Sequence, residues 1–341
     1  MTGRSTPWRR DEELAASASG TGEHGPGATL LVCSGGGHLK QLWLLRDRLL
    51  PRPGHCVWMT FDTPLSRSLL AEEDVVFLDY AAPRNLAKVV TNALLTRQLL
   101  RRVPVTQVVS TGANPALSAF LAARVRGITC HFIESATRSD GPSASGKLAR
   151  WIPGTHLYTQ HPEQARGPWA YRGSVFDSFS VRPGNRRSSS LRKVVVTVGT
   201  TESYGFRSLL ERTLEILPSG CEVLWQTGST DVSGLPIQAR PHMPVAELEE
   251  AMAGADAVIC HAGTGSALSA LEAGRCPVLV YREAARGEHV DDHQRQTAQR
   301  LSRAGLAVAV SVEELGIDAV NEAASRQVSY EEAPPFVLAG G

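Results

Sequence analysis

Short apolar runs alternate with amphipathic stretches along almost the whole chain from Leu30 onwards. In the first half, the apolar runs predict strands at 29–33, 55–60, 75–78, 106–110, 128–133 and 155–159. Apolar residues at helical spacing between them predict helices at 39–50, 64–72, 84–102 and 115–126. Because strands that alternate with helices form parallel sheets covered on both faces, this half is predicted to be an α/β domain.

The same alternation restarts after residues 178–192, which contain no acidic residue and few side chains that a core would bury. This segment is interpreted as a linker. Strands are then predicted at 193–198, 221–226, 256–260, 276–280 and 306–310, and helices at 206–217, 245–253, 266–273 and 291–303. The predicted organisation is a disordered leader at 1–27, a first domain at 28–177, a second at 193–325 and a loose tail at 326–341.

The chain length agrees with two globular domains, since 341 residues exceed the usual size of a single domain. The net charge of +1 conceals an asymmetry, because basic residues outnumber acidic ones in the first domain and the reverse holds in the second. A basic first domain favours an anionic partner such as a diphosphate or an acidic membrane surface. An uneven solvated surface explains the asymmetry equally well.

The location of the protein is predicted from its cysteines and apolar runs. Six cysteines lack metal-type spacing, and Cys33 and Cys260 fall in predicted buried strands, which is typical of reduced thiols in the cytoplasm. No apolar run is long enough to span a membrane, and the N-terminus lacks the apolar core of a signal peptide. We therefore expect a cytoplasmic protein, with any membrane contact peripheral on the inner face of the plasma membrane.

Segment 84–102 is the candidate for such a contact. It carries five basic residues and no acid beside an apolar stripe, which is typical of a helix that lies on an anionic bilayer. A helix packed on the core with a basic outer face fits the same pattern.

The most informative stretch is 257–266. Ala257–Cys260 predict a buried strand, and the residues after it turn sharply into a helix. A helix start presents free N–H groups and a positive dipole end, and glycines let a phosphate approach, so a diphosphate is predicted to bind at Gly263, Thr264, Gly265 and Ser266. The first half contains a similar arrangement, with a predicted strand that ends at Cys33, a glycine turn at 34–38 and a helix after it. The two arrangements predict two nucleotide-fold domains that face each other across a cleft.

In the first domain, Gly36 and Gly37 lead into His38 at a predicted helix start. A neutral imidazole there would take a proton from an attacking hydroxyl, although a phosphate contact or a structural role fits as well. Asn114, after another strand, would hold the polar end of an acceptor, and an ordinary helix start fits equally.

A carboxylate follows the strand at 128–133, where Glu134 is the alternative base. Arg138 and Lys147 come next, in a predicted loop at 137–147 that is rich in Gly, Ser and Pro and would close over an acceptor. Solvated loop charges are the simpler interpretation.

In the second domain, polar residues again follow the strands. Gly199, Thr200 and Thr201 end the first strand and Gln226 ends the next, so both turns are predicted to approach the donor. Residues 288–294 form a polar cluster before a helix, which suits reading sugar hydroxyls. Metal binding by His289 and His293 is the rival, but no Cys or third His stands nearby to complete a zinc site, and the chain has no Asp-x-Asp triplet.

Four stretches of the second half stand in order: Val196–Thr201, His261–Ser266, Gly274–Pro277 and Gly287–Gln294. With them this half resembles the donor-binding domain of family 28 glycosyltransferases. It is most similar to the catalytic subunit of the two-subunit enzyme that adds the second N-acetylglucosamine to dolichol-linked glycans, and to bacterial exopolysaccharide relatives. The first half resembles the companion membrane-recruiting subunit, through Gly36–His38, Ile133–Ser135, Ser145–Leu148, His156–Gln160 and Tyr171–Gly173, so the chain looks like a fusion.

The resemblance implies the GT-B architecture and a metal-independent, inverting transfer from a UDP-sugar, without a cofactor. It implies that Met243 lies near the uracil and that Asp292, His293 and Gln294 read the sugar, beside a diphosphate site that includes His261. Many relatives bind the ribose with a glutamate where this chain has Ser269, and Glu272 stands one turn later, as in some exopolysaccharide members. The donor is therefore left open between N-acetylglucosamine, glucuronate and another hexose.

The expected function is transfer of a sugar, with N-acetylglucosamine as first choice, from a UDP-sugar to a polyprenyl-diphosphate-linked or other glycan acceptor, with no nucleic-acid partner. Three rivals remain open: a soluble natural-product glycosyltransferase, a non-catalytic scaffold that binds UDP-sugar, and a nucleotide-sugar 2-epimerase.

Overall fold

A computed structural model describes residues 27–78, 86–138, 140–184, 191–199, 205–282 and 293–340, without the side chains of 86–89 and 293. These ranges leave out Thr200, Thr201, Asp292 and all but the last residue of the leader predicted at 1–27. The chain divides into two compact units, one of residues 1–175 with 334–341 and one of residues 176–333. Each unit is built on a parallel sheet, so the predicted α/β fold class is confirmed.

The first unit contains a seven-stranded sheet in the order β4-β3-β1-β5-β6-β7-β8, with every neighbouring pair parallel. Its strands are β1 (Ala28–Val32), β3 (His55–Phe61), β4 (Asp74–Leu78), β5 (Val105–Ser110), β6 (Thr129–Ile133), β7 (Thr155–Thr159) and β8 (Trp169–Tyr171), and the short β2 (Leu49–Leu50) lies outside the sheet. All five residues of β1 are buried, as expected for a central strand with helices on both faces.

Five helices accompany this sheet in the described residues: α1 (Gly37–Arg46), α2 (Pro64–Leu69), α3 (Leu86–Arg102), α4 (Asn114–Arg124) and α5 (Ala144–Ala149). The local sequence specifies the start of α2. This helix begins with Pro64, directly after Thr63, which forms a capping box with Ser66. One apolar core joins β1 and β5 to Leu99 of α3, Phe120 of α4 and Ala149 of α5.

The C-terminal segment returns to the first unit. Here β17 (Phe336–Val337) pairs in parallel with β2, and Phe336 is fully buried with its ring 5.5 Å from that of Tyr158. The loose tail expected at 326–341 therefore contains strands, and the helix predicted to reach residue 50 ends at Arg46. The pairing of β2 with β17 joins residues that are far apart in sequence, which a local pattern does not indicate.

The second unit contains a six-stranded parallel sheet in the order β12-β11-β10-β13-β14-β15. Its strands are β10 (Lys193–Thr197), β11 (Glu222–Gln226), β12 (Ala239–Arg240), β13 (Ala257–His261), β14 (Val278–Val280) and β15 (Val308–Val310). Its described helices are α6 (Arg207–Ile216), α7 (Val245–Ala253), α8 (Thr264–Glu272), α9 (His293–Arg303) and α10 (Ile317–Ala324).

A separate antiparallel ribbon in this unit joins β9 (Phe179–Pro183) to β16 (Arg326–Tyr330). Residues 178–192 were expected to be a linker, but 179–183 form β9. The reason is tertiary, because Val181 lies opposite Val328 and the ring of Phe179 lies 5.6 Å from that of Tyr330.

Both main sheets reverse their strand order at one point, between β1 and β5 in the first unit and between β10 and β13 in the second. In doubly wound sheets, ligands bind beyond the carboxyl ends of the strands at such a switch point. The turns after these four strands are therefore the places to examine for a site. No helix within the described ranges combines the length and apolar character needed to cross a bilayer.

Candidate active site

At the switch point of the first unit, His38 at the start of α1 contacts the turn after β5. Nδ1 of His38 lies 2.7 Å from the carbonyl oxygen of Thr111, and the Thr111 hydroxyl donates to the His38 carbonyl at 2.8 Å. Because a carbonyl oxygen only accepts, Nδ1 must carry the proton, which leaves a lone pair on Nε2. The structure thus holds His38 in the tautomer that a general base requires.

The environment also keeps this imidazole neutral. Burial lowers the pKa of His38, and the positive charge of Arg138 lowers it further, although the bond to Thr111 opposes both. Gly112 lies alongside, where a Cβ would stand 3.6 Å from Cε1 of the imidazole. The turn that leads into α4 is strained, because Ala113, directly before Asn114 at the start of that helix, has a φ of 70°.

Glu134 follows β6 at the same sheet edge, but its carboxylate is engaged in holding the next turn. It is 1% exposed and accepts hydrogen bonds from the Ser143 N–H at 2.8 Å, the Ser143 hydroxyl at 3.0 Å and the Ser135 N–H at 3.2 Å. Burial raises the pKa of Glu134, and these hydrogen bonds and Arg138 oppose the rise. The role of Glu134 as a base remains a prediction, while its role in holding Ser143 is visible.

The loop expected at 137–147 is shorter than predicted. Ser143 caps α5 by accepting from the Gly146 N–H at 3.0 Å, so Lys147 lies on a helix and is exposed. Half-buried Arg138 is the loop residue whose charge acts on both His38 and Glu134. Gly36 is exposed and Gly37 half-buried at the start of α1.

At the switch point of the second unit, α8 begins at Thr264 after Gly263, which makes no side-chain cap. The first N–H groups of a helix have no partner within it, so this start offers donors to an anion. The Thr264 hydroxyl is buried and makes no hydrogen bond to the residues that the structure describes. The Ser266 hydroxyl lies 3.3 Å from Nδ1 of His261. Free donors and a buried hydroxyl at one helix start are suited to a diphosphate.

His261 explains why glycines flank this turn. A Cβ on Gly263 would overlap Nε2 of the imidazole, and one on Gly199 would lie 2.9 Å from the same atom. Gly199 also has a φ of 79°, a conformation that favours glycine. The imidazole therefore fills the space between the turns after β10 and β13, and both glycines are required for its packing.

Gln226, predicted to approach the donor, is buried and organises the turn after β10. Its Nε2 donates to the carbonyl oxygens of Gly199 at 3.0 Å and Pro241 at 2.8 Å, and its Oε1 accepts from the Thr197 hydroxyl. Met243, two residues after Pro241, is half-buried. Gln226 thus joins the predicted phosphate side of the site to the segment that carries Met243.

Arg282 is a site residue that the sequence analysis missed. It is buried after β14, donates from Nη2 to the Val198 carbonyl at 3.0 Å, and lies over the ring of Phe206 at 5.1 Å. Its backbone N–H donates to Oε1 of Gln294 at 3.2 Å. A charged residue directly after an apolar strand was the signal in the sequence.

The role of Glu272 at the ribose remains a prediction. Glu272 is the last residue of α8, about 12 Å along the helix axis from Thr264. Ser269, which stands where relatives carry a glutamate, donates to Oε1 of Glu249 on α7 at 3.2 Å. A carboxylate is therefore present beside this position, but it comes from a neighbouring helix that sequence reasoning did not consider.

The rival metal site cannot be placed, because His289 and the side chain of His293 lie outside the described residues. Within the described ranges, no group of three or more His, Cys, Asp or Glu side chains is arranged to hold a metal ion.

Residues 193–334 match the profile of the Glycosyltransferase family 28 C-terminal domain. A UDP-N-acetylglucosamine–N-acetylmuramyl-(pentapeptide) pyrophosphoryl-undecaprenol N-acetylglucosamine transferase from Chlorobium phaeobacteroides is 27% identical over 226 residues. That match covers 61% of this chain and 60% of the relative. A protein of the same name from Chlorobium luteolum is 29% identical over 131 residues, and there the chain spans 35% of the relative.

Solved structures agree on the fold. MurG of Acinetobacter baumannii superposes with a TM-score of 0.53 at 18% identity, over 86% of this chain and 89% of that one. The glycosyltransferase SnogD from Streptomyces nogalater gives 0.55 at 18% identity, over 87% and 90%. The chain therefore shares the GT-B fold of these glycosyltransferases, and the match to the family 28 C-terminal profile lies almost entirely within its second unit.

Proposed function

We propose that this protein is an inverting glycosyltransferase that moves N-acetylglucosamine from its UDP derivative to a polyprenyl-diphosphate-linked acceptor. The observation that carries the proposal is the start of α8, where free N–H groups, the buried Thr264 hydroxyl and His261 converge at the switch point of the family 28 domain. The names of the Chlorobium relatives, which describe an N-acetylglucosamine transferase for a pyrophosphoryl-undecaprenol acceptor, support the donor and the class of acceptor. The fusion of a membrane-recruiting part with a catalytic part belongs to the same proposal.

On the donor side, the diphosphate is bound by the N–H groups at residues 264–266. As UDP departs, negative charge grows on its terminal phosphate, and donors fixed in advance stabilise that charge without reorganising. No cofactor or metal is part of the proposal. Gln294 reads the sugar, since its Oε1 already accepts from Arg282 and its amide nitrogen makes no hydrogen bond to the described residues.

On the acceptor side, a hydroxyl oxygen attacks the anomeric carbon while the bond from that carbon to the UDP oxygen breaks. The hydroxyl proton passes to Nε2 of His38, the ring nitrogen that the bond to Thr111 leaves unprotonated. A single displacement inverts the anomeric carbon, so no covalent sugar–enzyme intermediate forms.

The decisive experiment is a donor screen that measures UDP release with and without a membrane-lipid extract, in buffer and in EDTA. We expect release that needs both UDP-N-acetylglucosamine and the lipid extract and that survives EDTA. Release with soluble aglycones alone would reassign the acceptor. Donor conversion without any acceptor would indicate an epimerase, and UDP binding without turnover would indicate a scaffold.

The pH profile tests the base. Because the pKa of His38 is lowered, the imidazole is neutral at and above neutral pH, so kcat should be flat there. As the pH falls through the depressed pKa, protonation of Nε2 should remove the base and kcat should fall. Initial rates at saturating substrates, measured from acidic to neutral pH, check this. A kcat that rises on acidification contradicts the assignment.

We also propose that α3 lies on an anionic membrane surface. Its inner side is buried at Leu99 and Leu100, whereas Val90 is 60% exposed and Leu94 is 55% exposed. Arg97, Arg101 and Arg102 are also exposed on this helix. The two interpretations of the sequence thus hold together, because the helix packs on the core and still presents an apolar and basic face.

Leu94→Glu tests this contact, because it adds a negative charge to the exposed apolar part of that face. In vesicle sedimentation, the wild type should bind vesicles that contain phosphatidylserine, and Leu94→Glu should stay in the supernatant. Ile317→Glu is the matched control, since Ile317 is an exposed apolar residue of the second unit. Equal binding by wild type and Leu94→Glu contradicts the proposal.

A further inference from the structure

Two buried glutamines to which the sequence analysis gave no role hold the start of α1. Gln41 is 1% exposed, and its Nε2 donates to the Gly37 carbonyl at 3.1 Å and to the Ser135 hydroxyl at 3.0 Å. Its Oε1 accepts from the Ala136 N–H at 2.8 Å and from Nε2 of Gln160 at 3.0 Å. Both donors and both lone pairs of this amide are therefore used.

Gln160 extends the network beyond β7. It is 1% exposed, and the same Nε2 also donates to the Glu134 carbonyl at 3.0 Å. Its Oε1 accepts from the Val175 N–H at 2.8 Å, at the last residue before the second unit begins. The two amides join the first turn of α1, the turn after β6, the end of β7 and Val175.

This network bears directly on His38, which is the second residue of α1. The helix begins after Gly36 without a side-chain cap, and two side chains tie its first turn to the rest of the edge: the Thr111 hydroxyl at the His38 carbonyl, and Gln41 through Ser135 and Ala136. The contacts with Thr111 hold the imidazole and the His38 carbonyl against the turn after β5, whereas Gln41 holds the same helix start against the turn after β6. An apolar side chain at position 41 would leave the Ala136 N–H and the Ser135 hydroxyl without this partner, which favours a shift of the turn.

We propose that Gln41 and Gln160 are positioning residues for the transfer, which hold the His38 turn against the 134–136 turn so that Nε2 of His38 meets the acceptor hydroxyl. This inference rests on the proposed function for the reaction, but not for the position of the imidazole. A displacement of about 1 Å at a reacting group costs about 100-fold in rate, so a loosened turn should be visible in kcat.

Gln41→Met is the test, because methionine keeps the length of the side chain and removes every hydrogen bond of the amide. We expect kcat to fall by about 100-fold, while the Kd for UDP in calorimetry stays at the wild-type value because UDP binds the second unit. The ¹⁵N NMR signals of His38 give a readout that needs no turnover. The wild type should show the Nδ1–H tautomer alone, and Gln41→Met should also show the Nε2–H tautomer, which exposed histidines prefer.

Gln107→Met is the matched control, since Gln107 donates to the Thr29 hydroxyl at 2.9 Å near the amino end of β5, away from His38. It should keep the wild-type tautomer and kcat. A folded Gln41→Met protein with wild-type kcat and the Nδ1–H tautomer alone overturns the proposal.

Two other outcomes of this experiment have separate consequences for the positioning role and for the proposed function. If Gln41→Met does not fold, Ser135→Ala replaces it, with a smaller effect in the same direction, and the wild-type tautomer and kcat in that variant overturn the proposal. If the tautomer changes in Gln41→Met but the wild type transfers no sugar, the positioning role stands and the proposed function fails.

Discussion

His38→Ala is expected to lower kcat by about 10²- to 10⁴-fold, the usual contribution of a general base. The physical reason is the hydrogen bond from Nδ1 to Thr111, which fixes the proton on one nitrogen and leaves the other to accept the proton of the acceptor hydroxyl. The Kd for UDP should not change, because the residues proposed to bind the diphosphate belong to the second unit. Steady-state kinetics and calorimetry measure the two quantities separately.

His55→Ala is the matched control for this loss. His55 belongs to the same unit but starts β3, at the amino edge of the sheet. Its Nε2 lies 3.4 Å from Oδ2 of Asp74. Its replacement should leave kcat unchanged. If His38→Ala lowers UDP affinity as much as it lowers kcat, His38 contributes to binding and the base must be sought elsewhere, with Glu134 next.

Gly263→Ala is expected to weaken UDP binding strongly. The new Cβ would overlap Nε2 of His261, so either the imidazole or the start of α8 must move. Loss of one hydrogen bond to a charged group, worth about 1.5–3 kcal/mol, corresponds to about 10- to 100-fold in affinity. Because several donors at residues 264–266 move together, the loss should reach the upper end of that range. Calorimetric titration with UDP measures it.

Gly316→Ala is a closely matched control, since Gly316 also precedes a helix of the second unit, α10, and also lacks a positive φ. A Cβ there would have its nearest neighbour at 4.0 Å, so nothing needs to move. UDP affinity should equal that of the wild type. Unchanged UDP affinity in Gly263→Ala would show that the diphosphate does not bind at the start of α8.

The sequence predicted the strands of both main sheets well wherever they are buried on both faces. The run predicted at 155–159 forms β7 with the same bounds, and the one at 55–60 forms β3 one residue longer. The sequence analysis missed elements that depend on distant partners, such as the pairing of β2 with β17. It also predicted a loop where Ser143 caps the start of α5. Two-residue strands carry no periodicity of their own.

The candidate site shows the same division. Strand ends and glycines located His38, Glu134 and the turn at 263–266 at the edges where ligands bind, because parallel strands bring their carboxyl ends to one side. The sequence did not indicate which atoms are in contact at these edges. Nothing in the local pattern indicates that the Glu134 carboxylate holds Ser143, or that the imidazole of His261 packs between Gly199 and Gly263.

The amino-acid sequence by itself determined that this chain folds as two parallel-sheet units with helix starts suited to anions, because apolar periodicity and glycine placement act locally. Only the tertiary structure decided the protonation state of His38, the burial of Gln41 and Gln160, and the carboxylate beside Ser269. These depend on hydrogen bonds between residues separated by 20 to 119 positions, as from Ser269 to Glu249 and from Gln41 to Gln160. The sequence pattern does not specify such distances in space.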